Sequence, residues 1–329
     1  MKVWFATYLY YAEPWDEFLV QAVKPFTDEV IKSGDAEKYF FIRYWEKGPH
    51  IRLRFFIEED KMASLIKKID AHFTAYFKET PSISETPKWV ESLPKRQQWH
   101  PNNSIQYYPY EPETERYGGA KGLEIGEDHF YYCSQAVLSI IEEHEDWSYE
   151  RALGAAIQLH LSFVHSMKMG LPEAADFFEN IYYSWFNRAY EILPGESPEE
   201  TKDKQDEALK AFEANFASQK ETLIPFCNQI WEAFDEKMDF DIPWMTQWQA
   251  HLKEFQGKIF EAQSSNKLTY NDNYVQVMGE KIGSKKAQRW FLHGSYIHMI
   301  NNRIGIFNRD EGYLGFLLMN SLKAISEKQ

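Results

Sequence analysis

Residues 41–55 carry the pattern that most constrains the fold, a tight turn between two runs of strand-forming residues. The turn is Lys47-Gly48-Pro49, and the returning run begins at His50. Side chains alternate between the two faces of a strand, so this run has a mixed face and an apolar face. The mixed face holds His50, Arg52, Arg54 and Phe56, and the apolar face holds Ile51, Leu53 and Phe55. Because guanidinium groups bind carboxylates and phosphates through paired donors, the mixed face is a candidate anion site; the alternative is arginines that are solvated or paired with acidic residues.

Around this hairpin, the first part of the chain alternates between strand and helix patterns. Strands are predicted at 3–11, 38–45, 50–57 and 104–110, and helices at 14–34 and 60–78. Pro25 lies inside the first helical pattern and predicts a kink or a break there. The order strand-helix-strand-strand-helix-strand is that of a ferredoxin-like unit, an antiparallel sheet with helices on one face. The apolar face of the returning strand is expected to pack against those helices.

From residue 121 onward, the patterns are almost entirely helical. Helices are predicted at 127–144, 149–169, 172–193, 202–220, 223–238, 243–263 and 285–307. Ser197-Pro198-Glu199-Glu200 has the composition of a capping box at a helix start. The chain is therefore predicted to be an α+β protein, with a sheet region over 1–119 and a mainly helical region over 120–329 that packs on it as one integrated domain.

Composition narrows the functional classes. Hydrophobic residues make up 44% and aromatic residues 17% of the 329 residues, which excludes a disordered chain. The formal net charge of −14 argues against a broad nucleic-acid-binding surface but leaves room for a local anion pocket. Cys133 and Cys227 form neither a metal motif nor a disulfide framework, and with no nucleotide-binding loop or zinc motif the sequence predicts no cofactor and no metal. With no membrane-length apolar run and no signal-peptide pattern, it predicts a soluble cytoplasmic protein.

A second candidate site follows the last predicted strand, where residues 110–119 form a turn that ends in two glycines. Paired glycines allow a backbone to approach a ligand closely. Arg116 is flanked in this turn by Glu113 and Glu115. From spacing alone, a surface ion pair of little energetic value is the favoured interpretation.

The third candidate is one face of the last predicted helix. Its apolar stripe consists of Leu292, Tyr296, Met299, Ile300, Ile304 and Phe307, and a small polar face consists of Gly294, Ser295, His298, Asn301, Asn302 and Gly305. Such a polar face suits a helix that lines a cleft. Imidazole groups in general have a pKa near neutral pH, which makes His298 a candidate for proton transfer, and the alternative is a structural histidine.

Taken together, three stretches resemble one protein family. They read FIRYWEKGPHIRLRF at 41–55, YEPETERYGG at 110–119 and HMINNRIG at 298–305. This set is similar to the C-terminal, glutamate-eliminating domain of lantibiotic dehydratases, a family that includes stand-alone thiopeptide-type bacteriocin biosynthesis proteins. The likeness covers essentially the whole chain, with the motifs in the expected order.

The resemblance implies an enzyme that works after another one. A separate glutamyl-tRNA-dependent protein esterifies Ser or Thr of a precursor peptide with glutamate, and the eliminating domain removes the glutamate to leave dehydroalanine or dehydrobutyrine. The catalytic residues implied are Arg52, Arg54, Arg116 and His298, and the predicted substrate contacts are His50, Arg43, Tyr44, Glu113, Ser295, Asn302 and Arg303. The partners implied are the precursor peptide and the glutamylating protein, without direct contact to nucleic acid or membrane; a homodimer is compatible with the sequence.

Two other functions stay open at this point. Relatives on the same scaffold join two dehydroalanines in a formal (4+2) cycloaddition that forms a pyridine ring, although such an enzyme has no evident need for a glutamate clamp. A non-catalytic subunit that presents the precursor peptide is the other alternative. The elimination hypothesis requires that the three guanidiniums and the His298 imidazole converge on one anion-sized hollow.

Overall fold

The computed structural model describes residues 1–191, 197–236, 241–270 and 273–328. The chain divides into two compact units, each formed from two stretches. The first contains Met1–Thr114 and Ala120–Trp147, and the second contains Glu115–Gly119 and Ser148–Gln329. The short segment with Arg116 therefore groups with the later helices, and the long helix that follows it groups with the sheet. The single integrated domain stays a prediction.

The first unit is built on a small antiparallel sheet. Its strands are β1 (Lys2–Tyr10), β2 (Lys38–Tyr44), β3 (His50–Glu58) and β4 (Ser104–Pro109). Its helices are α1 (Asp16–Phe18), which continues through a π-helical segment (Leu19–Val23) into α2 (Lys24–Lys32), then α3 (Met62–Glu79), α4 (Lys88–Glu91) and α5 (Gly119–Glu142). The strands lie in the order β2-β3-β1-β4. The predicted α+β class and the predicted order of strands and helices are confirmed, with the short α4 added before the last strand.

Cross-strand register assigns each side chain of β3 to a face of the sheet. Directly opposed residues of neighbouring strands lie on the same face, and successive residues alternate. Ile51, Leu53 and Phe55 are buried, and the Phe55 ring lies 6.0 Å from the ring of Phe26 in α2. The Phe26 ring in turn lies 5.2 Å from that of Phe73 in α3. The apolar face of β3 packs against the helices as predicted, which leaves His50, Arg52 and Arg54 on the opposite face.

The helical stretch after β1 accommodates Pro25 without a gap. The π-helical segment ends at Val23, and Pro25 lies at the start of α2, where the hydrogen-bond pattern changes. The missing N–H of proline falls at this change of pattern, so the predicted kink or break takes the form of a π-helical turn just before the proline. α2 ends at Lys32, and Gly34 follows with a φ of +72°.

Helix α5 covers the open edge of the sheet at β2. The Phe41 N–H donates to Ser134 Oγ at 3.2 Å, and that hydroxyl donates to Phe130 O within α5 at 2.8 Å. An uncovered edge strand presents unpaired N–H groups that can pair with another chain. The contact with α5 therefore protects β2 from such pairing.

The second unit is helical over its described residues. It contains α6 (Tyr149–Ser166), α7 (Leu171–Ala189), α8 (Pro198–Asp235), α9 (Pro243–Ser264), α10 (Asn273–Ile282), α11 (Ser284–Ile304) and α12 (Asn308–Ser326). Ser197 begins α8 with the predicted capping box: its Oγ accepts from the Glu200 N–H, and its own N–H donates to the Glu200 carboxylate. No helix within the described ranges combines the length and the apolar character needed to cross a membrane.

Several helix predictions for this unit differ from the structure. The helices predicted at 202–220 and 223–238 form the single helix α8, which continues through the exposed Pro225 because Leu223 and Cys227 on either side of it are buried on one face. The patterns predict neither α10 nor α12. The helix predicted at 285–307 ends at Ile304, where Gly305 adopts a left-handed conformation with a φ of +94°. The predicted ends at Leu193 and Met238 lie outside the described residues.

Helices α7 and α12 approach each other so closely that their backbones touch. A Cβ on Gly315 would lie 2.8 Å from the Tyr182 backbone nitrogen, and one on Gly312 would lie 3.1 Å from the Phe186 backbone nitrogen. Residues three apart lie on the same face of a helix, so both glycines face α7. This close approach fixes the first turns of α12, which include Glu311.

Candidate functional site

The arginine face of β3 carries the first group of predicted site residues. His50 is fully buried, its Nδ1–H donates to Gly48 O at 2.7 Å, and its Nε2 accepts from Arg52 Nε at 3.1 Å. A ring that donates at one nitrogen and accepts at the other is neutral. Burial lowers the pKa of His50 to about 4, which keeps it neutral at physiological pH. His50 thus orients the Arg52 side chain without adding charge to this face.

Arg52 is held by two aromatic rings and one carboxylate. Its guanidinium carbon lies 3.5 Å from the centroid of the Tyr44 ring and 4.6 Å from that of the Tyr8 ring. Its Nη2 donates to Glu46 at 3.0 Å, and the Glu46 side chain is mostly exposed. An exposed ion pair contributes little free energy, so an anionic ligand can displace Glu46 from Arg52 at small cost.

Arg54 is a buried charge on the same face. The residue is 8% exposed, and its Nε has no hydrogen-bond partner within the described part of the chain. Its guanidinium carbon lies 5.2 Å from the centroid of the Phe40 ring and 5.1 Å from that of the Tyr110 ring. Aromatic faces attract a cation but do not satisfy its N–H donors. The site therefore holds a buried guanidinium whose Nε lacks a hydrogen-bond acceptor.

The structure does not bring Arg43 to this face. Arg43 pairs in register with Ile51, so its side chain lies on the helix-packed face, where it is 5% exposed and its Nη2 donates to Asp16 at 2.7 Å. Tyr44 shares the arginine face, because it pairs with His50, and Glu113 lies in the exposed loop after β4. The substrate contacts predicted for Arg43, Tyr44 and Glu113 stay predictions.

The second unit contains a cavity of about 480 Å³ that gathers the remaining predicted catalytic residues. Its walls come from α7, α10 and α11 and from the short turn before α5. The polar and charged residues that line it include Arg116, Ser184, Arg188, Ser295 and His298. Arg116 and His298, far apart in the sequence, thus reach the same cavity within one compact unit.

The two glycines after Arg116 fix its turn in place. Gly118 and Gly119 have φ values of +85° and +84°, which favour glycine. The Thr269 N–H donates to Gly118 O at 2.9 Å, and a Cβ on Gly119 would collide with Thr269 Oγ1. The Tyr117 ring packs 5.4 Å from that of Tyr296 in α11. The two glycines thus allow the backbone to approach Thr269 closely. This contact positions Arg116 at the cavity.

His298 presents one ring nitrogen to a ligand. Its Nδ1–H donates to Glu311 at 2.7 Å, and its ring stacks on that of Trp185 at 4.9 Å between centroids and 25° between planes. Its Nε2 makes no hydrogen bond with the residues that the structure describes. A neutral imidazole protonated at Nδ1 has its lone pair at Nε2, which is therefore free to accept a proton.

The other residues predicted on α11 separate into two groups. Ser295 lines the cavity, and its hydroxyl donates to Phe291 O at 3.3 Å. Asn302 and Arg303 are not among the residues that line it. Arg303 is fully buried and its Nη1 donates to Met299 O at 3.1 Å, so it reinforces its own helix. The substrate contacts predicted for Ser295, Asn302 and Arg303 stay predictions.

The sequence patterns miss several residues of this cavity. Glu311 and Trp185 contact His298 directly, and Arg188 lies with its guanidinium carbon 5.1 Å from the Trp185 ring centroid. On α7, polar residues recur at helical spacing as Asn180, Ser184, Asn187 and Arg188, and all four line the cavity. This polar stripe is the signal that could have indicated a cleft-lining face of α7. Among the described residues, no group of three or more His, Cys, Asp or Glu side chains could hold a metal ion.

Comparison with known proteins identifies the family of this chain. Residues 4–322 match the family described as lantibiotic biosynthesis dehydratase C-term. The chain belongs to this family. The predicted family is thereby confirmed. Over 144 residues the chain is 26% identical to the subtilin biosynthesis protein SpaB of Bacillus subtilis, an alignment that covers 43% of this chain and 12% of SpaB. The chain thus aligns with a small part of the length of this curated relative.

Solved structures share the fold at low sequence identity. The pyridine synthase TbtD from thiomuracin biosynthesis has a TM-score of 0.75 at 16% identity, with 99% of each chain covered. TsrL has a TM-score of 0.68 at 15% identity, covering 99% of this chain and 96% of TsrL. The tRNA dependent lantibiotic dehydratase MibB from Microbispora sp. 107891 has a TM-score of 0.64 at 17% identity, covering 99% of this chain but 28% of MibB. At these identities the likeness establishes the fold alone.

Proposed function

We propose that this member of the family eliminates glutamate from glutamylated Ser or Thr side chains of a ribosomal precursor peptide and leaves dehydroalanine or dehydrobutyrine. A serine hydroxyl is a poor leaving group, whereas a glutamate carboxylate, whose conjugate acid has a pKa of about 4, leaves readily. The difficult step is removal of the Cα proton, which builds negative charge on the adjacent carbonyl oxygen. The reaction therefore needs a proton acceptor, donors for the developing anion, and a clamp for the departing glutamate.

The observation that carries the proposal is the shared cavity of His298 and Arg116. His298 is held through Nδ1 and keeps Nε2 for the substrate, which is the arrangement required of a proton acceptor. Arg116, which lines the same cavity, supplies a guanidinium for oxygens of the enolate or of the leaving group. The elimination needs both a proton acceptor and an anion-binding group, and neither role requires a cofactor.

The arginine face of β3 supports an anionic substrate independently. Arg54 is buried with an unpartnered Nε, and Arg52 is paired with one exposed carboxylate that a ligand can displace. We assign both to binding of carboxylates of the glutamylated substrate, with His50 holding Arg52 in orientation. We further propose that a separate glutamyl-tRNA-dependent protein supplies the glutamylated peptide, and that both proteins act in the cytoplasm, where charged tRNA is available.

The test is a direct assay with a synthetic glutamylated precursor peptide. The purified protein should release free glutamate and produce dehydroamino acids, each lighter than the glutamylated residue by the mass of glutamic acid. His298→Ala should bind the peptide but lose elimination, whereas His144→Ala, at a histidine just after α5 whose Nδ1–H donates to Ile140 O, should react normally. Elimination that persists undiminished in His298→Ala would leave the peptide-presenting subunit as the better hypothesis.

One observation favours a second candidate function. The structural likeness to the pyridine synthase TbtD covers 99% of both chains at a TM-score of 0.75, higher than the 0.64 of MibB. The competing activity is the formal (4+2) cycloaddition of two dehydroalanines. A peptide that already carries dehydroalanines distinguishes the two: ring formation with loss of the leader peptide would reverse our choice, and an unchanged peptide would support elimination.

A further inference from the structure

A buried carboxylate supports the predicted proton acceptor. Glu311 is 1% exposed and does not line the cavity. One of its oxygens accepts from His298 Nδ1 at 2.7 Å, and the other accepts from Asn301 Nδ2 at 3.0 Å. Because a carboxylate can only accept, the amide of Asn301 must present its NH₂ group to Glu311. Both carboxylate oxygens are therefore engaged by α11.

We propose that Glu311 is a positioning residue that holds His298 in the tautomer required of a proton acceptor. This inference rests on the proposed elimination. An imidazole that donates from Nδ1 to a carboxylate has its lone pair at Nε2, the nitrogen available in the cavity. Carboxylates hold catalytic imidazoles in the same way in hydrolases that use a Ser-His-Asp triad.

The proposed step balances without a further reactant. His298 Nε2 takes the Cα proton of the glutamylated residue, and the pair of electrons from that C–H bond forms the Cα=Cβ double bond. The Cβ–O bond breaks, and glutamate leaves as a carboxylate. His298 becomes an imidazolium whose charge is compensated by Glu311, and loss of the proton to water restores the neutral ring.

Packing holds this dyad rigidly. The Trp185 ring of α7 stacks on the face of His298, so rotation of the imidazole about its stem is restricted. Glu311 immediately precedes Gly312, where the backbones of α12 and α7 touch. Three helices therefore determine the geometry of the hydrogen bond between Glu311 and His298.

The decisive variant is Glu311→Gln. We expect Asn301 to keep donating its NH₂ group, in this variant to the oxygen of the new amide, which turns the amide NH₂ group toward His298 Nδ1. The imidazole must then carry its proton on Nε2, where it cannot accept the substrate proton. We expect kcat for glutamate release to fall at least ~100-fold, with KM changed less than about threefold.

Nitrogen NMR on the full chain labelled with ¹⁵N-histidine reads the tautomer directly. The His298 signals are assigned by their loss in His298→Gln. The wild type should show the Nδ1–H tautomer and Glu311→Gln the Nε2–H tautomer. Adding Asn301→Asp to Glu311→Gln supplies an acceptor for the amide NH₂ group, returns the amide oxygen to Nδ1, and should recover at least ~10-fold of the lost kcat. Glu327→Gln, at an exposed glutamate just after α12, is the matched control.

Three results would overturn the proposal: an Nε2–H tautomer in the wild type, wild-type kcat in Glu311→Gln, or a reduced kcat in that variant with the Nδ1–H tautomer retained. The wild-type spectrum decides the first even if the variant fails to fold. Absence of glutamate release from wild-type protein would instead contradict the proposed elimination, and the tautomer measurements would still test the role of Glu311 by themselves.

Discussion

At the scale of single residues, replacing Arg54 should affect stability and activity differently. A buried charge without a counter-ion lowers stability, so replacing it by an uncharged side chain of similar length removes that cost. We expect Arg54→Met to leave the free energy of unfolding unchanged or raise it by about 1–3 kcal/mol. The kcat/KM for glutamate release should fall at least ~100-fold, because the anion loses its guanidinium. Urea unfolding and a glutamate-release assay measure the two effects.

Arg43 provides the opposite case on the other face of the same sheet. It is as buried as Arg54 but donates to Asp16 at 2.7 Å. Arg43→Met should lower the free energy of unfolding by about 1–3 kcal/mol, because Asp16 loses its partner. Equal losses of stability in Arg43→Met and Arg54→Met would contradict the view that Arg54 is held ready for a ligand.

The contrast between these arginines shows which features of the sheet can be predicted from local sequence and which cannot. Alternation along β3 is enough to predict that Arg52 and Arg54 share a face, because the period of a strand is local. The face of Arg43 depends on its pairing with Ile51 across the hairpin, and alternation within one strand does not give that register. The contact between Glu311 and His298 could not be predicted from local sequence either, because this hydrogen bond joins two helices and depends on their packing.

At the scale of elements, the contact between α7 and α12 should be sensitive to one methyl group. A Cβ on Gly315 would lie 2.8 Å from the Tyr182 backbone nitrogen, so Gly315→Ala forces the helices apart. We expect a loss of about 1–3 kcal/mol in the free energy of unfolding from overpacking. Because this contact also fixes the start of α12, kcat for elimination should fall as well. Thermal unfolding by circular dichroism and the elimination assay provide the measurements.

Gly257 in α9 is the matched control for that substitution. A Cβ at this helical position meets nothing within 4 Å. Gly257→Ala should therefore raise the free energy of unfolding by about 0.5–1 kcal/mol, since alanine loses less backbone entropy in a helix. If both substitutions stabilise the protein equally, the close approach of α7 and α12 is not as the structure has it.

The same glycines explain why α12 could not be predicted. Gly312 and Gly315 are poor helix formers, so the local pattern is weak, and the helix is stabilised by what it packs against. The π-helical turn before Pro25 and the continuation of α8 through Pro225 are likewise set by neighbours. Elements of the first unit were easier to predict where the local pattern was strong, as in the alternating residues of β3 and the amphipathic helix α3.

At the scale of the whole molecule, buried histidines link stability to pH. Burial lowers the pKa of His50 to about 4 and those of His160 and His293 to about 3. Both ring nitrogens of His293 lack hydrogen-bond partners among the described residues, which agrees with a neutral ring. In the unfolded chain each imidazole titrates near pH 6.5, so the unfolded state binds these protons first as the pH falls.

The sign of the pH dependence follows from this order of protonation. Stability is fully present above pH 6.5 and is lost as the pH falls from there toward 4, because the unfolded state is then stabilised by proton binding. Between pH 7.5 and pH 5, the free energy of unfolding should fall by about 2 kcal/mol per buried histidine. Urea unfolding at both pH values measures the change, and in His293→Leu, which removes one titrating ring, the fall should be smaller by that amount. An identical pH dependence in His293→Leu and the wild type would show that the ring of His293 is not held neutral by the fold.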